Sequence, residues 1–183
     1  MDARGWREDV IREFRRTKEL ADRAMAQVSD RDFFAAPDAG TNPIAVIVKH
    51  VAGNLRSRWT DFLVTDGEKP DRRRDEEFVL DDADVRAALM ERWERGWSIL
   101  FATLGALTDG DLDATVRIRG EPHTVVQAIH RQLAHYAYHA GQVVLLARHY
   151  AGGRWATLSV PRGGSTAFNR APARYLGDRP GRA

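Results

Sequence analysis

The 183-residue sequence contains no cysteine. Disulfides, thiolate metal ligands and a cysteine nucleophile are excluded together, and any metal site must draw on His, Asp or Glu. No apolar run approaches the ~18 uncharged residues of a membrane-spanning helix. The opening MDARGWREDVIREF is charged throughout and has no apolar stretch of the kind a secretory signal needs. The cytoplasm is therefore the expected location, with no membrane partner. A strong net charge is missing as well: 28 basic residues face 26 acidic ones, for a net +2. The balance is uneven, because residues 154–183 carry six Arg and only one acid, Asp178. A nucleic-acid binder shows a broad basic face rather than a basic tail on a slightly acidic body, so nucleic acid is not an expected partner.

What is present is an ordinary globular mixture, 43% hydrophobic and 30% charged. One domain over residues 1–183 is expected, with the tail 154–183 packed on the body. Trp155, Leu158, Val160, Phe168 and Tyr175 are too apolar for a free linker.

Four segments carry helical periodicity. The first, about 5–28, spaces Trp6, Val10, Phe14, Ala21, Ala24 and Val28 by helical turns. The second opens at Asn42-Pro43, with Asn as cap and Pro in the first position, and continues through Ile44, Ile47, Val51, Leu55 and Trp59 to about Phe62. Residues 64–81 are polar and read as a loop. The third segment runs from about Asp82 to Leu107 on the stripe Leu89, Trp93, Trp97, Leu100 and Leu104. Alternation around a glycine over residues 115–125 predicts a β-hairpin. The fourth helix spans about 124–150, stopped by Gly152-Gly153. The expected fold is all-α: a four-helix bundle with a short β-hairpin before the fourth helix and an extended C-terminal tail.

Four of the six histidines fall within residues 130–149. His135 and His139, spaced i, i+4, leave one helix face and can reach one metal, although such a pair also occurs on an ordinary polar face. His50 sits at the edge of the second helix's apolar stripe. It reads either as an interior histidine or, if the bundle brings that edge against His135 and His139, as a third ligand. Imidazole suits Zn, Ni, Cu and Fe. His130 and His149 are turned away or too far along the helix, and His123 belongs to the hairpin.

The strings IRGEPHTVVQAIHRQLAHYAYHAGQVVLLARH, KHVAGNLRSRW and WATLSVPRGGSTAFN resemble the DinB-like superfamily, also called the YfiT-like metal-dependent hydrolase group, in a branch of unknown function. The resemblance implies a four-helix bundle, often a homodimer, with a divalent metal held by one His of the second helix and an H-x3-H pair of the fourth. Carried over, these are His50, His135 and His139. Some members of the superfamily are transferases that use a low-molecular-weight thiol.

The expectation is thus a metal-dependent enzyme acting on a small molecule, a thiol-dependent S-transferase or a hydrolase, with zinc or nickel as the ion. The alternative is a non-enzymatic metal-binding or stress-response module. Asn54 and Gln142 are candidates to line the mouth of the site, or equally to make helix-packing hydrogen bonds. Tyr138 is a candidate proton donor or else a core or interface tyrosine, His123 a support behind the ligands or else a structural residue, and Arg162 an anchor for an anionic substrate or else a solvated charge. Surplus aromatics, Trp6, Trp93 and Trp97, point to a homodimer surface.

Overall fold

A computed structural model describes residues 3–172. Among these, six α-helices are joined by short 3-10 turns and one two-stranded antiparallel hairpin. The helices are α1 (Ala3–Met25), α2 (Asp30–Phe34), α3 (Ile44–Trp59), α4 (Arg86–Ala106), α5 (Val125–Ala151) and α6 (Ser165–Arg170). The four long ones are the four read from periodicity. α3 packs along α4, α1 along α5, and α3 also meets α5.

The apolar stripes explain these pairings. α1 buries Val10, Phe14, Ala21, Ala24 and Met25, and α4 buries Leu89, Trp93, Trp97, Leu100 and Leu104. α3 is buried over most of its circumference, from Ile44 and Val48 to Leu55 and Trp59. Trp59, Phe14, Trp97 and Tyr136 meet edge-on or tilted at its C-terminal end. Each such ring removes on the order of 150–250 Å² from water, which makes this cluster a main source of stability.

Several local expectations change. α3 begins one residue later than read, so Pro43 occupies the cap position and Asn42 makes no side-chain cap. Its helix ends at Trp59 rather than near Phe62, and α4 begins at Arg86 rather than near Asp82. The polar stretch 64–81 is not a solvated loop throughout: it contains a 3-10 helix, Arg74–Phe78, that lies on α3 and buries Glu77. Trp93 and Trp97 are core residues, 3% and 1% exposed, so they offer nothing to a dimer surface. Trp6 is half-buried, its ring edge-on to His130.

The hairpin forms where alternation placed it. β1 (Thr115–Ile118) pairs with β2 (Glu121–Thr124) in the register Val116↔His123. Its turn residues Arg119 and Gly120 both have positive φ, 56° and 77°, the signature of a tight hairpin turn whose twist matches the strands. Asp66 accepts both turn N–H groups, from Arg119 at 2.8 Å and Gly120 at 2.7 Å. Thr124 then caps α5 in a reciprocal box with Gln127.

The described part of the tail is partly docked. Trp155 and Leu158 pack against the core, and Gln27 exchanges two hydrogen bonds with the backbone of Ala156. Phe168, by contrast, is 38% exposed on α6. Tyr175 lies outside the described residues. No helix among the described residues is long and apolar enough to cross a membrane.

Candidate metal centre

α3 supplies His50 and α5 supplies His135 and His139. One helical turn separates the latter two, and the packing of α3 on α5 brings His50 against them. The Nε2 atoms of His135 and His139 are 3.0 Å apart, and those of His50 and His135 are 3.4 Å apart. His50 is buried and the other two are half-buried. These three are the group among the described residues that could hold a metal ion.

Hydrogen bonds on the far side of two rings fix which nitrogens face inward. His50 Nδ1 lies 2.8 Å from Glu77 Oε2, and a carboxylate can only accept, so His50 donates there. His139 Nδ1 lies 2.7 Å from Gln142 Oε1, whose amide nitrogen in turn donates to the Tyr138 hydroxyl at 3.0 Å. Both rings therefore carry their proton on Nδ1 and present a bare Nε2 lone pair to the centre. Metal-ligating histidines are oriented in this way. His135 differs: its Nδ1 is buried without a hydrogen-bond partner. Its ring is set by packing instead, edge-on to His139 at 4.6 Å and against Tyr136 at 5.4 Å.

Two bare lone pairs facing a third imidazole nitrogen call for a proton or a cation between them. Two imidazole nitrogens bound to one ion at roughly 2.0–2.1 Å are about 2.9 Å apart at octahedral angles and about 3.3 Å apart at tetrahedral ones. The observed 3.0 and 3.4 Å fit that requirement.

Burial favours the neutral form of the two α5 imidazoles. Burial, then the neighbouring His139, His50 and two arginines, push His135 down to about 3. Burial also lowers His139. Burial alone would raise Glu77, but hydrogen bonds from Arg72 and His50 and the charge of Arg72 hold it below the usual carboxylate range. Arg72 grips both Glu77 oxygens at 2.8 Å, with only 2% of its side chain exposed.

The other candidates are distributed as follows. Gln142 supports His139, as described. Asn54 is buried and accepts from the Tyr136 hydroxyl at 2.9 Å, while Trp59 Nε1 donates to that hydroxyl at 3.0 Å. Asn54 thus makes a packing hydrogen bond and also lines the cavity beside His50 and His135. Tyr138 is 63% exposed, its ring against His139 at 5.0 Å. His123 stays in the hairpin, 3.0 Å from Arg131 Nη1, outside the trio. Arg162 is exposed in the tail and does not line that cavity. His130 and His149 are exposed on α5, away from the centre.

Glu77 and Arg72 escape the reading of the sequence. They sit in RRRDEEF, a block of charge that resembles solvated loop; Phe78 at its end was the available sign that the segment packs. Its ring lies 4.8 Å from that of His50. Gly53 makes room for the carboxylate, since a Cβ at that position would collide with the Glu77 side chain.

No curated protein and no solved structure matches the chain. A family match extends over residues 2–164, a span that contains all three histidines, Glu77 and Gln142. The chain thus belongs to the family described as "Protein of unknown function (DUF1572)".

Proposed function

We propose that His50, His135 and His139 bind one divalent metal ion and that the chain is a metal-dependent enzyme acting on a small molecule. The observation that carries this reading is the pair of outward hydrogen bonds, His50 to Glu77 and His139 to Gln142, which leave bare Nε2 atoms facing a third imidazole 3.4 and 3.0 Å away. Resemblance to the DinB-like superfamily supports it, and the packing of the four long helices supports a four-helix bundle.

Three nitrogen ligands are the number found in catalytic zinc sites. Zinc or nickel fits the imidazole set. When bound, the ion would act as a Lewis acid, lowering the pKa of a thiol or of water at its open position. The chain's residues divide the remaining work. Glu77 and Gln142 hold two ligand rings in one tautomer, and Arg72 keeps Glu77 ionised. Asn54 and Gln132 line the adjoining cavity, where a substrate has access to His50 and His135. A thiol-dependent S-transferase is the reaction class we favour.

Elemental analysis of purified protein should find one divalent ion per chain in wild type and little in His50→Ala, His135→Ala or His139→Ala. A screen of low-molecular-weight thiols against a chromogenic electrophile should then show turnover that chelators abolish. Wild type that takes up no metal after loading would overturn the assignment.

A further inference from the structure

Beside the imidazoles of His50 and His135 lies a cavity of about 180 Å³. Its wall carries five arginines, Arg58, Arg72, Arg74, Arg119 and Arg131, and no carboxylate. They arrive from α3, the segment following it, the hairpin turn and α5. Like charges gathered this closely repel one another unless negative charge answers them.

The answering charge is incomplete. One oxygen of Glu68 serves three of the five, at 2.8 Å to Arg58, 3.1 Å to Arg72 and 3.4 Å to Arg119. Arg72 is matched in addition by Glu77. The acids nearest Arg74 and Arg131 are Asp75 at 3.7 Å and Glu121 at 3.5 Å, both largely in solvent, where a pair contributes little. Five guanidinium groups therefore face two carboxylates held within the protein.

A purely architectural role accounts for only part of the set. Arg58 and Arg72 tie the segment after α3 to the body through Gly67, Glu68 and Glu77. Even so, Arg58 is 5% exposed and keeps its Nε buried with no hydrogen-bond partner. Arg119 and Arg131 make only long, half-exposed ion pairs, at 3.4 Å to Glu68 and 3.5 Å to Glu121, and keep most of their donors free for a ligand. The Arg119 backbone is locked at φ 56° by Asp66, and the Arg131 guanidinium is steadied by the His123 ring. Planar guanidinium forks match carboxylate and phosphate oxygens.

We propose that this cavity binds an oxyanion, a carboxylate or phosphate carried by a small molecule, with Arg119 and Arg131 clamping it at the rim and Arg58 below. Calling that molecule the substrate rests on the metal-enzyme reading; the anion site itself does not. The cavity holds one such group beside the imidazoles and places whatever it is attached to next to them.

Calorimetry on metal-stripped protein at low salt tests this, with inorganic phosphate and succinate as probes. Wild type should bind at least one of them saturably, one per chain. The double variant Arg119→Gln/Arg131→Gln should bind about tenfold or more weakly, and Arg95→Gln, on the exposed face of α4, should match wild type. Both rim side chains are about half exposed, so the variants should fold, which thermal melts verify. Binding should persist in His135→Ala, and the double variant should still load metal; the two readings thereby fail independently. No saturable binding of either probe, or equal weakening in Arg95→Gln, would overturn the proposal.

Discussion

The Glu77 carboxylate accepts the Nδ1 proton of His50 at 2.8 Å while both its oxygens are gripped by Arg72. A ring at the centre of α3 is thus aimed by a segment twenty-seven residues further along the chain. Outer partners of this kind typically contribute 10- to 100-fold to metal affinity. Glu77→Gln keeps an acceptor for His50 and should weaken metal binding by about tenfold, whereas Glu77→Ala should approach about 100-fold. Competition with a chromogenic chelator measures both.

Gly53→Ala should reproduce part of that loss without touching a charged group. The new methyl collides with the Glu77 side chain, although Ala is the better helix former by roughly 0.5–1 kcal/mol. Metal affinity should therefore fall even though α3 gains intrinsic helix propensity. An unchanged affinity would show that Glu77 shifts at no cost to His50.

Metal should stabilise the fold by linkage. At 100 times its dissociation constant an ion adds about 2.7 kcal/mol. Chelation should lower the melting temperature of wild type and leave that of His135→Ala nearly unchanged. His130→Ala and His149→Ala should behave as wild type. Loss of metal from those two, with retention in His50→Ala, would refute the ligand set.

The metal-free protein should lose stability in acid in two stages. His135 is held neutral in the fold, its pKa pushed down to about 3 from an ordinary value near 6.5. The unfolded chain therefore takes up a proton first. This contribution is present above about pH 6.5 and declines as pH falls toward 3. Glu77, held below its ordinary value near 4.5, contributes above about pH 4.5 and is lost as pH falls through its lowered folded value. Urea unfolding between pH 7 and 4 should show a shallower slope for His135→Leu than for wild type.

The buried chain Trp59–Tyr136–Asn54 fixes α5 on α3. Burial, opposed by the Trp59 hydrogen bond, pushes the Tyr136 hydroxyl well above its ordinary value, so it remains a donor. Tyr136→Phe strands two buried polar groups and should cost roughly 1–3 kcal/mol for each left unpaired. Denaturant melts of metal-free protein read this directly.

The sequence by itself determined the four long helices, because their apolar spacing follows the helical period, and it placed the hairpin by alternation around Gly120. It also singled out His135 and His139, since i, i+4 neighbours share a face whatever the fold. For His50, periodicity favoured an interior histidine over a ligand. The pairing of α3 with α5 brings its Nε2 within 3.4 Å of His135, and packing between distant segments is not written in local spacing. The same holds for Glu77, Arg72 and the five-arginine cavity. Charged residues at the surface and charged residues buried in pairs have the same local sequence. Only the tertiary structure, by bringing 68–77 over α3 and the hairpin turn beside it, decided which charges would lose their water and find partners.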